Sequence, residues 1–386
     1  MYPHTSLRST GFQKPPAVMF LAPKLEIGGA EVMLDLMLGT PGDRSFRPIV
    51  CCTYMPGPIG ERLIERGITV YHSLATNKLD FRIVSRLVKI IKKEKIAVIY
   101  DVMSDNNTLF YGLLASKLTG IPYVNAVHNA RTQSAAVVLL RRLCMKYSDH
   151  VIALSEGHRE FITRYYGVHA DKIRIVPNGV DIGRFQLGMS NMLYRAKLNL
   201  PLDKPIVVII ATLRPLKAHK VFLQAAQKVL VEFPETQFLV VGDGPERNGL
   251  ELYAAQLGIQ ASAHFLGQRT DIPEILSCID VSVLSSSQEA FPITILESMA
   301  ASKPVVATDV GLLDELVQHE ETGFLVQPGD TEGLAESINK LIMNPTLSSK
   351  MGAAGRRRVE NRFSMQNTIS ALESVILECV RDQPTL

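Results

Sequence analysis

Nearly continuous apolar runs punctuate the first half of the chain, at Ala17–Ala22, Ile49–Thr53, Thr69–His72, Val98–Tyr100, Tyr123–Val127 and Val151–Leu154. Strands buried on both faces read this way, without the apolar–polar alternation of a half-exposed sheet. Between the runs lie segments with helical spacing of apolar residues, among them Glu31–Leu38, Gly60–Glu65, Phe81–Lys93 and Leu109–Leu118. Strand and helix in alternation predict a parallel sheet covered on both faces.

The pattern lapses after Asn178-Gly179-Val180-Asp181, and Gln186–Lys204 reads as a connector with a short helix. It then restarts with strands at Ile206–Ala211, Gln237–Gly242, His264–Leu266, Val281–Leu284 and Val305–Thr308. Helices are predicted at Val221–Glu232, Gly249–Leu257, Asp271–Ser277, after Pro292 and over Leu312–Gln318. The expected architecture is α/β, with two Rossmann-like doubly wound domains facing across a cleft. Their boundaries are a polar tail over 1–16, a first domain over 17–183, a linker over 184–204 and a second domain over 205–362. A last segment, 363–386, carries a helix from Met365 to Val380 that is expected to pack back on the first domain. Two such domains bring the C-terminal ends of their strands, where ligands bind, to face each other.

Composition adds limits. At 386 residues, 46% apolar and 20% charged, the chain suits two ordinary globular domains. Its net charge of +3 makes no case for nucleic acid. Cys51, Cys52, Cys144, Cys278 and Cys379 are odd in number and lack C-x-x-C spacing, so a reducing compartment is expected. The start reads as a polar tail before a strand, not a signal peptide, and no apolar run reaches the ~18 residues of a membrane span. A cytoplasmic location follows as an expectation.

The loops carry the chemistry. In Glu289-Ala290-Phe291-Pro292-Ile293-Thr294-Ile295-Leu296-Glu297, Pro292 suits the first position of a helix. Glu289 then stands on a loop and Glu297 on the helix, and the five residues from Pro292 span ~7.5 Å. Between the acids lie free N–H groups and a positive dipole end, a place for a diphosphate. The arrangement suits a nucleotide sugar. Gly28-Gly29-Ala30-Glu31 opens a helix after the first strand, where backbone amides can approach a phosphate or a sugar, or form a simple turn. His128 emerges at the end of the Tyr123–Val127 run, placed to donate to a sugar or to cap the surface. Arg214 and Lys217 follow the first strand of the second domain, and two cations there can neutralise a diphosphate leaving group. Gly242-Asp243-Gly244-Pro245-Glu246-Arg247 lacks the third glycine of a dinucleotide fingerprint, and reads as a tight turn lining the cleft. Zinc, Walker and D-x-D motifs are absent, so neither a metal nor a cofactor is expected.

Together these motifs resemble the group-1 retaining glycosyltransferases of the GT-B fold (the family 4 type), from about Ala17 to Phe363. Supporting segments are Pro177–Asp181, Val241–Arg247, Pro304–Gly311, Glu321–Val326 and Pro328-Gly329-Asp330. The resemblance implies Glu289, His128, Arg214 and Lys217 as catalytic. It implies Gly28, Gly29, Gly242, Phe291, Pro292, Ile293 and Glu297 as donor-binding, with Glu297 on the ribose. Asn178 and Gly179 are read as hinge geometry. The implied donor is a UDP- or GDP-sugar on the second domain. The implied acceptor is a glycan or a lipid-linked molecule on the first, transferred to with retention. A basic helix, with Arg82, Arg86, Lys89, Lys92, Lys93 and Lys95, suits peripheral contact with an anionic membrane or a solvated face. Five departures stand out: Thr212 replaces the arginine expected five residues before Lys217, while Ala218, Ala290, Ser302 and Leu312 occupy expected glycine positions. A nucleotide-sugar epimerase and a non-catalytic binding subunit of a partner transferase are the alternatives.

Overall fold

The computed structural model describes residues 15–26, 28–40, 44–128, 135–185 and 191–381. Its first sheet holds β1 (Ala17–Ala22), β2 (Arg47–Cys52), β3 (Thr69–Tyr71), β4 (Ile96–Asp101), β5 (Tyr123–Ala126), β6 (His150–Ala153) and β7 (Ile173–Ile175). The second holds β8 (Ile206–Ile210), β9 (Gln237–Val241), β10 (Ala263–Gly267), β11 (Val281–Leu284), β12 (Val305–Thr308) and β13 (Gly323–Val326). The orders are β3-β2-β1-β4-β5-β6-β7 and β10-β9-β8-β11-β12-β13. Every pairing within the two sheets is parallel. Strand order therefore reverses between β1 and β4, and between β8 and β11, the places where doubly wound sheets open a ligand crevice.

Helices cover the faces of the first sheet: α1 (Gly29–Gly39), α2 (Gly57–Glu65), α3 (Arg82–Glu94), α4 (Asn106–Thr119), α5 (Ala135–Tyr147) and α6 (Glu156–Tyr166). The connector carries α7 (Asn191–Lys197). The second domain adds α8 (His219–Glu232), α9 (Arg247–Gln256), α10 (Ile272–Ser277), α11 (Ile293–Ala300), α12 (Leu313–Leu316), α13 (Thr331–Met343) and α14 (Pro345–Arg362), and α15 (Met365–Arg381) ends the chain. β1 and β8 are buried at every position, which is why their sequences are unbroken apolar runs. α3 buries Ile83, Val84, Leu87, Ile90 and Ile91 along one stripe, and its charges face water.

α15 returns to the first domain, where Met365, Ile369, Leu372, Val375 and Ile376 join the core beneath β1 and β4. The crossing is pinned by Val180 N–H to Phe363 O at 2.9 Å and Met365 N–H to Val180 O at 2.9 Å. Gly179 is needed here, because a Cβ would lie 2.3 Å from Thr368 Oγ1.

Two local expectations change. Pro292 is the residue before α11 rather than its first turn, with extended backbone at ψ 123°. The helix expected over Leu312–Gln318 is the single turn α12. Thr322 Oγ1 accepts from Gln318 N–H at 2.9 Å, and Glu320 takes a φ of 62°, so the chain reverses into β13 instead of continuing as helix. Residues 186–190 of the connector lie outside the described residues.

Candidate active site

The crevice between β8 and β11 receives the loops that follow those two strands. Ser285 Oγ donates to the carbonyls of Lys217 and Ala218, each at 3.1 Å, and Ser287 N–H donates to Leu216 O at 2.9 Å. The two loops thus form one floor. Its chemistry is a charge pair: Lys217 Nζ donates to Glu289 Oε1 at 2.5 Å, and Ser286 Oγ donates to the same oxygen at 2.7 Å. The Glu289 side chain is only 9% exposed, that of Lys217 25%. Two glycine turns hold this floor. Gly311, at φ 65°, packs so closely that a Cβ would lie 2.1 Å from Glu289 O. Gly242, at φ 132°, packs so that a Cβ would lie 2.0 Å from Ala211 O. Gly242 therefore shapes the loop that carries Thr212 and Arg214; the close backbone approach at its Cα is to protein.

Arg214 is exposed, and its side chain makes no hydrogen bond or ion pair among the described residues. Thr212 is exposed on the same loop. Lys217, not Arg214, is the cation built into the floor.

At the start of α11, Phe291 and Ile293 are buried, 5% and 8% exposed, and Phe291 meets Phe363 edge-on at 5.6 Å. Their side chains serve the core, so what Phe291 and Ile293 can offer a ligand is backbone N–H; Pro292 has none. Asn178, read from sequence as hinge geometry, also donates from Nδ2 to Phe291 O at 2.9 Å and so ties the first domain to this turn. Glu297 is buried on α11, and its carboxylate accepts no hydrogen bond among the described residues. Burial pushes its pKa up to about 7, against the opposing charge of Arg184. A buried carboxyl without a partner favours a ligand that supplies donors.

Across the cleft, Gly28 caps α1 with extended backbone. The Glu31 carboxylate turns back to bond its own backbone amide, and a Cβ on Gly28 would lie 2.6 Å from Glu31 Oε2. Burial raises the Glu31 pKa. The Glu31 carboxylate thus stands beside the Gly28-Gly29 turn expected to meet a phosphate. His128 lies half-buried two residues past β5, hydrogen-bonded to the Val102 backbone. Burial, with His158 nearby, lowers its pKa to about 4, so the ring is neutral at neutral pH; its one N–H goes to the Val102 carbonyl, and the other nitrogen is an acceptor.

The family description "Glycosyl transferases group 1" matches residues 191–358, and "Glycosyltransferase Family 4" matches residues 27–184. A D-inositol 3-phosphate glycosyltransferase from Streptomyces scabiei is 30% identical over 73% of this chain and 69% of its own. The chain belongs to the group-1 glycosyltransferases. An Escherichia coli UDP-Gal:alpha-D-GlcNAc-diphosphoundecaprenol alpha-1,3-galactosyltransferase is 26% identical over 78% of this chain and 80% of its own. The fold matches Anabaena HepE, solved in complex with UDP-glucose, with a TM-score of 0.82 at 24% identity, covering 95% of this chain and all of that one. These are two Rossmann-like domains in the GT-B arrangement.

This glycosyltransferase keeps the backbone that the missing glycines served. Ala218 and Ser302 both adopt left-handed conformations, with φ of 48° and 57°, at a cost of roughly 1–2 kcal/mol each. Leu312 sits at φ −118°, where a side chain is tolerated. The sequence reading missed Ser286 and the tie from Asn178 to Phe291. The run Ser285-Ser286-Ser287 was the available signal for the first; nothing local marks the second.

Proposed function

We propose that this glycosyltransferase moves a sugar from a nucleoside diphosphate sugar, a UDP-sugar foremost, to a glycan or lipid-linked acceptor with retention of configuration. The observation that carries it is the Lys217–Glu289 pair in the crevice between β8 and β11. A cation there meets the charge that grows on a departing diphosphate, and the adjacent carboxylate holds a sugar hydroxyl beside the carbon that turns positive. His128 meets the sugar from the acceptor side, its free ring nitrogen accepting from a hydroxyl. UDP as the leaving nucleotide is supported by the UDP complexes of HepE. The test is thermal stabilisation and calorimetry with UDP, GDP, ADP and dTDP, followed by transfer assays with the matching sugars. Ligand at 100 times its Kd stabilises the fold by about 2.7 kcal/mol. Selective binding with turnover supports the proposal; binding without turnover favours the non-catalytic subunit, and sugar inversion without transfer the epimerase.

In this reading Glu297 takes the ribose hydroxyls. Its folded pKa lies above that of an unfolded glutamate, so its contribution to stability is full below about pH 4.5 and falls as pH rises towards about 7. Ribose hydroxyls favour the ionised form, so nucleotide binding is expected to tighten through pH 7 and to release a proton there. Calorimetry in buffers of different ionisation enthalpy measures that release, and Glu297→Gln is expected to abolish it.

The acceptor side suits an anionic membrane, and a face beside the basic helix α3 offers more exposed apolar surface than α3 itself. On α3, Arg82 and Arg86 are tied to Asp80, and Lys93 donates to Tyr71. The neighbouring face is better suited: Phe110, Leu114 and Leu118 of α4 and Leu139, Leu143 and Tyr147 of α5 are all exposed. Lys117, Arg142 and Lys146 are exposed among them, and neither helix contains an acid. Apolar side chains within a basic field suit the boundary of an anionic bilayer. No helix among the described residues is long and apolar enough to cross a membrane. Flotation with phosphatidylglycerol vesicles is expected to carry the protein, phosphatidylcholine vesicles are not, and Leu118→Asp with Leu143→Asp is expected to release it.

A further inference from the structure

The domains touch through a contact that the donor site does not require. Glu315, on α12 of the second domain, accepts through Oε1 from Ser155 Oγ at 2.7 Å and from Gly157 N–H at 3.0 Å. Both donors belong to the start of α6 in the first domain. Ser155 is also the N-cap of that helix, accepting from His158 N–H at 3.1 Å. The acceptor side is held firmly. Arg358 Nη2 donates to Glu315 O at 2.6 Å, and Leu312, Leu313 and Leu316 belong to the same apolar cluster as Leu154 of the first domain. Leu154 N–H in turn donates to His158 Nδ1 at 3.2 Å, which sets the tautomer and direction of that ring. The chain leading to His128 is bound to the strand that precedes Leu154, Val127 N–H donating to Ile152 O at 3.1 Å.

A carboxylate of the donor-binding domain therefore sits on the helix that backs the histidine of the other domain. We propose that Glu315 is a positioning residue that couples closure of the cleft to the placement of α6, and through the pairing of β5 with β6 to that of His128. This rests on the transferase reading only for the role of His128; the clamp itself is a matter of domain geometry. Closure then assembles the acceptor side of the site only when α12 has reached α6, so a bound donor is not exposed to water beside a misplaced histidine.

Two variants from opposite domains test it. Glu315→Ala removes the acceptor. Gly157→Ala introduces a Cβ that would lie 2.7 Å from Glu315 Oε1, at a position without positive φ, where alanine is the better helix former. Both are expected to enlarge the protein in small-angle scattering, and to lower kcat by about 10- to 100-fold, the population shift of a charge-assisted contact. Nucleotide affinity, read by calorimetry, is expected to change less than ~3-fold, since the donor floor is untouched. The double variant is expected to be no worse than either single one, and Glu315→Gln, which keeps an acceptor oxygen, to recover most of the activity. Unchanged scattering in both variants, or effects that simply add, overturns the clamp. If wild-type protein transfers no sugar at all, the transferase reading is what fails, and scattering of the same variants still decides the clamp.

Discussion

Glu289→Gln is expected to lower turnover by about 10²–10³-fold, with nucleotide affinity held within about threefold. The substitution keeps volume, and the amide oxygen still accepts from Ser286 Oγ, so the floor between the two loops remains in place. What disappears is the counter-charge of Lys217, and, in the proposed mechanism, the negative charge beside the anomeric carbon of the donor. Since charge on the sugar develops mainly in the transition state, the loss belongs in kcat and not in binding. Steady-state kinetics with the matched donor, beside calorimetry with its nucleotide, separate the two. Undiminished turnover would remove Glu289 from the reaction.

Lys217→Met is expected to lower kcat/KM for the donor by about 10²–10³-fold and to weaken nucleotide binding as well. Lys217 reaches the floor from the loop after β8, and its charge is oriented by Glu289 before any ligand arrives. That preorganisation lets it act on a diphosphate without first being ordered. Arg214 is exposed and without a partner among the described residues, so Arg214→Met is expected to cost no more than about tenfold. The reverse ranking would show that Arg214 has taken the place of the arginine missing at Thr212. The double variant Glu289→Gln with Lys217→Met is expected to be far from additive, because each residue sets the environment of the other. Kinetics on all four proteins in one buffer, with thermal melting as a control for folding, complete that cycle.

Much of the fold was legible because its cause is local. β1 and β8 are all apolar because both faces of a central parallel strand are covered, and the α3 stripe repeats with the helical period. β7 and β13 were not read as strands; they are short edge strands with half-exposed positions, and three or four such residues carry little pattern. α12 was overextended because its apolar spacing runs on to Val317, while Gln318 N–H is already bound by Thr322 in the turn that Glu320 completes. Within the site, Glu289, Lys217, Glu297 and His128 were visible as strand-end or helix-start chemistry. The burial of Phe291 and Ile293 was not, since their packing partners lie in other parts of the chain.

By itself the sequence determined two parallel α/β domains, the family, and the residues from which a donor site would be drawn, because hydrophobic period and loop chemistry act over a few residues. Tertiary structure alone decided how those residues meet. Lys217 and Glu289 are 72 positions apart, Asn178 and Phe291 are 113 apart, and Ser155 and Glu315 are 160 apart. The first pair meets because β8 and β11 are neighbours in the sheet though not in the chain, and the other two because the domains close on each other. Burial of Glu297, and with it a carboxyl that titrates near neutrality, is likewise a product of that packing. Adjacency across a switch point or between domains comes from strand order and closure, which no local pattern encodes.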